Sequence, residues 1–354
     1  MSEINISVVV CAYNEEVELN NCLESIKLEI GVRKDVEVII VDNESNDRTG
    51  EIALDFILRC NNELRVRCLR VKHVSLTSSR NTALSYCRGT YVLFVDGDAA
   101  VGKGWLFNLM NKFEDDVGIV AGNVANLHPE NIFSDFIYTS HFRCSLDAEH
   151  SSKLIGANMG FNKAVLKQIG GFHGANLNRG DETCLTGLYS LKMPEFKTVH
   201  APDSIVYNAF PSSLFEWVKQ QYIGGRSNIT VLKILGENRI KEHIKVIIKL
   251  SSLLFLPHLL LYSMTVHSLF VIHFVVYILR VLYSVKYICC GINRLYKKKR
   301  LLQAAMFVPI SLLGIFCSDL GAIAEVLRSF NKEIDNKPAP LSSVINDEQS
   351  AFYL

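Results

Sequence analysis

The chain has 354 residues, and its 37 Lys and Arg against 36 Asp and Glu give a formal net charge of +1 at pH 7. This length suits one large domain or a domain with an appendage, and the balanced charge does not favour nucleic acid as a partner. Apolar residues concentrate between residues 245 and 330, whereas residues 1–240 have the mixed composition of a soluble domain. No secretory signal is predicted at the start of the chain. The ten scattered cysteines form no Cys-x-x-Cys pair, which is typical of a reduced, cytosolic domain.

The N-terminal part alternates short apolar runs with segments of helical periodicity. The apolar runs, which predict buried strands, are residues 6–12, 36–41, 64–71 and 91–95. The segments predicted to be helical are residues 14–26, 50–59 and 78–87. Strands separated by helices predict an α/β domain with a mainly parallel sheet, which we expect to extend over residues 1–235.

Polar clusters stand at the ends of three of these strands. They are Ala12-Tyr13-Asn14, Asp42 and Asp96-Gly97-Asp98. Because ligands of open parallel sheets bind outside the carboxyl ends of the strands, we expect the three clusters to meet at one binding site. Asp96 and Asp98 can both face one point around the small Gly97, and carboxylate oxygens suit Mg²⁺ or Mn²⁺. An ordinary Asp-Gly turn is the alternative for this pair.

Two further positions allow a binding role or a purely structural one. Asp42 can accept hydrogen bonds from a nucleotide base or ribose, or it can cap the turn that follows. Arg80 is placed at the predicted start of a helix, where a cation suits a phosphate, or it forms a surface ion pair. Position alone does not decide between these alternatives.

Adjacent acids precede a helix at Gly180-Asp181-Glu182-Thr183. Acids at a helix N-terminus are favourable for the helix dipole alone. The functional interpretation is a general base that deprotonates an acceptor hydroxyl. With such a base on one side of a sugar and a cation-bound diphosphate on the other, a single displacement inverts the anomeric configuration.

In their order along residues 6–230, these motifs resemble the inverting glycosyltransferases of family two, which have the GT-A fold. The segments that carry the resemblance are Ser7–Glu15, Val41–Thr49, Ser79–Leu84, Phe94–Asp98, Gly156–Phe161, Gly170–Phe172 and Gly180–Thr183. The chain departs from the family pattern in several places, which are Cys11 for Pro, Asn43-Glu44 for Asp-Gly, and Asn162-Lys163 for Arg-Arg. The stretch from Gln220 to Arg226 lacks the Gln-x-x-Arg-Trp motif of processive members, which favours the addition of one sugar.

The resemblance implies a role for each matched residue. The donor is expected to be a UDP- or GDP-sugar. The residues expected to bind it are Ala12, Tyr13, Asn14, Glu15, Asp42, Arg80, Asp96, Gly97 and Arg226. Asp96 and Asp98 are expected to hold Mn²⁺ or Mg²⁺. The base position falls on Glu182, with Asp181 as the second choice. His200 and Asn208 lie where some members place a third metal ligand, although a structural role is the simpler interpretation for both.

The segment 236–330 is predicted to associate with a membrane. Residues 250–283 are nearly free of charge and have basic residues on both flanks, which favours a hairpin with both ends in the cytosol. Residues 304–327 contain two acids and are expected to form an interfacial or re-entrant helix, whereas residues 331–354 are expected to be a flexible tail. A soluble helical domain with an apolar core is the alternative.

These expectations combine into a membrane-anchored transferase with a cytoplasmic active site at the cell or inner membrane. The acceptor is expected to be a lipid-linked sugar or another glycan, because this arrangement resembles that of members that build exopolysaccharides and other surface glycans. A polyprenyl-phosphate sugar synthase differs only in its acceptor. A sugar nucleotidyltransferase would need a glycine-rich phosphate loop that the first strand end lacks. A non-catalytic membrane scaffold would not need the acids Asp42, Asp96, Asp98 and Glu182.

Overall fold

The computed structural model describes residues 3–60, 63–142, 154–174, 177–236, 301–329 and 352–353. Its contacts divide the chain into two compact units. The first comprises Met1–His128, His150–Ala209 and Asp335–Leu354, and the second comprises Pro129–Glu149 and Phe210–Ile334. The domain boundaries expected from the sequence remain predictions.

Four strands form the parallel part of the sheet in the first unit. They are β1 (Ile6–Ala12), β2 (Val36–Asp42), β3 (Arg65–Arg70) and β4 (Tyr91–Asp96). Strand β1 pairs in parallel with β2 and with β4, and β2 pairs in parallel with β3. The predicted strands are therefore confirmed to within a residue or two, and every residue of β1 and β2 is buried.

The remaining strands make the sheet mixed rather than mainly parallel. They are β5 (Ala99–Val101), β6 (Val117–Asn126), β7 (Met159–Asn162), β8 (Lys197–Asn208) and β9 (Phe352–Tyr353). The described strands follow the order β5-β8-β6-β7-β4-β1-β2-β3-β9. Of their pairings, β6 with β8 is parallel, whereas β4 with β7, β6 with β7, β5 with β8 and β3 with β9 are antiparallel.

The described helices are α1 (Leu19–Ile30), α2 (Thr49–Cys60), α3 (Leu76–Tyr86), α4 (Trp105–Met110), α5 (Ile132–Ile137), α6 (Lys163–Gln168), α7 (Asp181–Lys192), α8 (Leu214–Ile234) and α9 (Leu301–Ser329). Alternation along β1 divides the core of the first unit between the two faces of the sheet. Val8 and Val10 pack with apolar residues of α1 and α2 on one face. Val9 packs on the other face with residues of α3 and α7. Both faces are thus covered, which explains the continuous apolar runs of the parallel strands.

Two predicted helix starts were wrong. Helix α1 begins at Leu19, and residues 14–18 form a turn that stands at the end of β1. Helix α3 begins at Leu76, because the side chain of Ser75 accepts a hydrogen bond from the backbone N–H of Ser78 and caps the helix there. Arg80 therefore lies inside the helix and not at its N-terminus.

The second unit contains α5, a π-helical turn (Tyr138–Phe142), α8 and α9. Helices α8 and α9 pack closely at glycines, since a Cβ on Gly225 would lie 1.8 Å from the carbonyl oxygen of Ser318. Within α9, Pro309–Val326 is long and apolar enough to cross a membrane, a criterion that core helices of soluble proteins also meet. The predicted hairpin of residues 250–283 lies outside the described residues, as does almost all of the tail 331–354.

Candidate active site

The carboxyl ends of the parallel strands bring the three polar clusters together. In the β1 pairings, Ala12 lies level with Asp42 and Cys11 lies level with Asp96. The N–H of Gly97 donates to the carbonyl of Cys11 at 3.0 Å. A Cβ on Gly97 would lie 2.9 Å from that of Ala12, so only glycine allows the strand end to approach this closely.

Three carboxylates crowd at this edge. Burial and then the charge of Asp96 raise the pKa of Glu15 to about 7. Burial, followed by the charges of Asp96 and Glu15, raises the pKa of Asp98 well above its usual range. Like charges this close are unfavourable in the absence of a compensating cation.

The donor set next to Asp98 fits a divalent cation that is shared with a ligand. No group of three His, Cys, Asp or Glu side chains suited to a metal occurs among the described residues. The N–H of Ala209 donates to the carbonyl of Asp98 at 3.1 Å and thereby places Asn208 beside the pair. Within the described ranges, Asn208 Oδ1 is a buried oxygen without a hydrogen-bond partner. Oxygens from Asp96, Asp98 and Asn208, completed by phosphate oxygens, are what Mg²⁺ or Mn²⁺ prefers.

A ring platform and a buried acid lie on the other side of β1. Tyr13 stacks on His73 with ring centroids 4.0 Å apart. Asp42 Oδ1 accepts a hydrogen bond from the N–H of Ser45 at 2.9 Å, so Asp42 does stabilise its own turn. Its Oδ2 has no hydrogen-bond partner in the part of the chain that the structure describes, although Arg70 Nε lies 3.9 Å away. One buried oxygen of Asp42 is therefore not satisfied by the described residues.

The turn after β1 is fastened to the turn after β2. Asn14 has a left-handed backbone with φ of 56°, and its Oδ1 accepts a hydrogen bond from the N–H of Asn46 at 2.9 Å. The N–H of Glu15 donates to Thr49 Oγ1 at 2.7 Å. These bonds fix the backbone on which Tyr13 and Glu15 are carried, which is a structural reason for the polar residues of both motifs.

Arg80 is almost completely buried and pairs with two acids. Its Nη2 donates to Asp96 Oδ1 at 2.8 Å and to the carbonyl of Gly156 at 3.1 Å, and its Nη1 donates to Asp181 Oδ2 at 2.5 Å. Burial alone would lower the pKa of Arg80, but the charges of Asp181 and Asp96 outweigh it and raise the pKa. Arg80 is therefore a buried cation that joins two of the predicted motifs, and not a surface residue.

The two acids of the last motif begin α7. Gly180, with φ of 79°, occupies the N-cap position, and Asp181 is 1% exposed. Glu182 is half-buried. Burial, and then the neighbouring Asp181, raises the pKa of Glu182 to about 7. A carboxyl group with a pKa in this range can exchange a proton with a hydroxyl near neutral pH.

Arg226 belongs to the second unit, His200 lies within β8, and His73 was missed by the sequence analysis. Arg226 lies in the second unit, where its Nε donates to Glu325 Oε2 at 3.0 Å. His200 lies level with Ala121 in the β6–β8 pairing, away from the end where Asn208 stands. His73 was not predicted, although it follows the end of β3, and the same strand-end rule could have identified it.

The chain has the GT-A fold, a mixed sheet covered by helices, with acids at the carboxyl ends of its parallel strands. Residues 7–170 match the sequence model described as glycosyl transferase family 2. This N-terminal part of the chain is similar to that family.

The chain is also similar to named glycosyltransferases in sequence and to a solved glycosyltransferase in fold. The chain is 34% identical over 111 residues to the uncharacterized glycosyltransferase EpsJ of Bacillus subtilis, which covers 31% of each chain. It is 26% identical over 179 residues to the glycosyltransferase AglE of Haloferax volcanii, covering 50% of this chain and 58% of AglE. The chain thus spans less than two thirds of these relatives. The mannosyltransferase PcManGT of Pyrobaculum calidifontis, solved with GDP-Man and Mn²⁺, superposes with a TM-score of 0.56 at 17% identity, covering 94% of this chain and 89% of that one.

Proposed function

We propose that this chain is an inverting glycosyltransferase that moves one sugar from a nucleotide-diphosphate-sugar to a hydroxyl group of an acceptor. The observation that carries the proposal is the meeting of three sets of acids at one sheet edge. Asp42 ends β2, Asp96 and Asp98 follow β4, and Asp181 is tied to Asp96 through Arg80. The match of residues 7–170 to the glycosyl transferase family 2 model supports the same reaction class.

The donor is proposed to lie along the edge from Asp42 to Asp98. The stacked rings of Tyr13 and His73 offer an apolar surface beside which a base can pack. The buried Oδ2 of Asp42, which has no hydrogen-bond partner among the described residues, can accept an N–H of uracil or guanine that reaches it, so we propose a UDP- or GDP-sugar. Asp96, Asp98 and Asn208 would hold Mn²⁺ or Mg²⁺, which neutralises negative charge on the leaving diphosphate when bound.

Glu182 is proposed to be the general base. Its half-buried carboxylate takes the proton of the acceptor hydroxyl, and its raised pKa suits that task near neutral pH. One oxygen of Asp181 accepts a hydrogen bond from Arg80, and its side chain is buried, so Asp181 is less suited to contact an acceptor. A direct attack opposite to the diphosphate gives a product of inverted anomeric configuration.

The acceptor is proposed to be a lipid-linked sugar at the cytosolic face of a membrane. Support comes from the apolar stretch Pro309–Val326, which has a mean hydropathy of 1.5. Only 39% of this stretch is buried within the protein. Large apolar side chains of α9 are also exposed, including Leu312, Leu313, Phe316 and Leu320. A lipid surface would cover such a row of side chains favourably.

A donor screen followed by product analysis tests the proposal. The full chain is mixed with UDP- and GDP-sugars in the presence and absence of Mn²⁺, and thermal stabilisation and slow donor hydrolysis are measured. We expect one donor class to stabilise the chain only when Mn²⁺ is present. NMR of the product from that donor should show the inverted anomer. Binding and hydrolysis of no donor would contradict the proposal and favour a non-catalytic scaffold, and a retained anomer would contradict the single displacement.

A further inference from the structure

Arg80 is buried, and its guanidinium is occupied by partners within the protein. Its guanidinium is 1% exposed and is in contact with two carboxylates and one carbonyl. The partners come from distant parts of the chain, since Asp96 follows β4, Gly156 precedes β7 and Asp181 begins α7. Both Nη atoms belong to one rigid planar group. The separation of the two carboxylate oxygens that they bind is therefore fixed.

The glycine-containing segments that precede α7 form a cradle for this arginine. A Cβ on Gly156 would lie 3.0 Å from Arg80 Nη2, so a larger residue would push the guanidinium away. The ring of Phe172 lies beneath the guanidinium, with its centroid 5.6 Å from Cζ.

Asn81, the next residue of α3, holds the cradle in place. Its Nδ2 donates to the carbonyl of Phe172 at 2.8 Å, and its Oδ1 accepts from the N–H of the same residue at 2.8 Å. Gly171 has φ of 74°, and a Cβ there would lie 2.6 Å from Asn81 Oδ1. The Arg80-Asn81 pair thus fixes both the acids and the ring that supports them.

Asp181 is held by Arg80 through one of its two carboxylate oxygens. Its Oδ2 accepts from Arg80, whereas its Oδ1 is buried and has no hydrogen-bond partner among the residues that the structure describes. Asp96 is different, because its side chain is 28% exposed and keeps one oxygen available at the edge of the sheet. The guanidinium therefore joins Asp181, a buried acid next to Glu182, to Asp96, a partly exposed acid of the candidate cation site.

We propose that Arg80 is a positioning residue that divides its charge between Asp96 and Asp181 and so couples the cation-binding side of the site to the side of the general base. The inference rests on the proposed function, because it assumes that Asp96 and Asp98 bind the cation. If Asp181 loses its charge, the whole guanidinium charge faces Asp96 and competes with the cation there. Without Arg80 this competition is absent.

A mutant cycle with Mn²⁺ alone tests the coupling without any need for activity. Free Mn²⁺ is measured by electron paramagnetic resonance in titrations of the full chain and of the variants D181N, R80M and R80M/D181N. We expect D181N to raise the Mn²⁺ Kd about fivefold in the presence of Arg80, and less than twofold in the R80M background. R80K keeps the charge but loses the fork, so we expect less than half of the coupling in R80K/D181N. If R80M does not fold, the R80K comparison decides.

Arg67 provides the matched control. It pairs with the buried Glu37 at 2.9 Å, at the opposite edge of the sheet. D181N should therefore raise the Mn²⁺ Kd as much in an R67M background as in the unmodified chain. An equal effect of D181N with and without Arg80, or full coupling in R80K, would overturn this inference alone. Failure of the unmodified chain to bind Mn²⁺ would contradict the cation site of the proposed function, and this inference with it.

Discussion

Glu37 and Asp181 are buried carboxylates that each pair with an arginine, at opposite edges of the same sheet. Glu37 lies near the start of β2 and is 2% exposed. Its Oε1 accepts from Ser7 Oγ and from the N–H of Arg88, both at 2.7 Å, and its Oε2 accepts from Arg67 at 2.9 Å. Both oxygens of this acid are satisfied within the protein.

Among the described residues, Asp181 has a hydrogen-bond partner on one oxygen only, and its neighbour Glu182 has a pKa raised to about 7. Buried polar groups in folded proteins are usually hydrogen-bonded, so an exception needs an explanation. At the amino edge of the sheet an ion pair joins strands and stabilises the fold. At the carboxyl edge the acids Asp42 and Asp181 each keep an oxygen without a hydrogen-bond partner among the described residues. The acid of the structural pair, Glu37, has partners on both oxygens, whereas the acids of the candidate site do not, and this difference distinguishes the two places.

The substitution E182Q should produce the largest change in rate. Glutamine keeps the size of the side chain but cannot take a proton, so we expect transfer to fall by about 10²- to 10⁴-fold while donor affinity changes little. Initial rates of transfer and donor titrations measure the two quantities. Transfer that persists in E182Q would assign the base to Asp181 and would weaken the contrast between the two edges.

The substitution E37Q should affect stability and leave the chemistry intact. An amide at this position leaves Arg67 without its charged partner in a buried site, and we expect a loss of about 3 kcal/mol in the free energy of unfolding. Urea denaturation measures the loss, and kcat of the folded variant should equal that of the unmodified chain. A reduced kcat at full stability would show that the amino edge also contributes to catalysis.

The strand ends of the site could be predicted from the sequence, because buried parallel strands appear as continuous β-branched runs. The run 36–41 identified Asp42, and the run 91–95 identified Asp96, to the residue. The acids of α7 were placed correctly because Gly180 stands directly before them. These are local patterns, and local patterns can be read from the chain.

The ion pairs of Arg80 could not be predicted. Asp181 is 101 positions away in the sequence, and the contact exists only because α3 and α7 pack on the same face of the sheet. The predicted helix start at residue 78 also misled the interpretation, since the cap is formed by Ser75 and Arg80 lies one turn inside the helix. Both Ser75 and Ser78 are good N-cap residues, so local propensity does not choose between them.

The substitution D98N tests the proposed cation site at the carboxyl ends of the parallel strands. Loss of one charged oxygen from the crowded acids should weaken Mn²⁺-dependent donor binding by at least about tenfold. Thermal shift with donor, measured with and without Mn²⁺, gives the effect. D116N is a suitable control, because Asp116 forms an exposed ion pair with Lys197 outside the site. Unchanged donor affinity in D98N would refute the cation role.

The pH dependence of kcat should reveal the electrostatics of Glu182, which lies near the charged groups of Asp181, Arg80 and Arg179. The base acts only when it is ionised, and its pKa is raised to about 7. The rate should therefore fall about tenfold for each pH unit below that value and level off above it.

Burial is the largest cause of this shift, and the negative charge of Asp181 is the next. Removing that charge favours the ionised form of Glu182, so D181N should move the acid limb of the kcat profile to lower pH. E37Q, whose carboxylate lies at the other edge, should leave the limb where it is. A limb that stays in place in D181N would mean that the base is a group other than Glu182, and that Asp181 acts on the site only through Arg80.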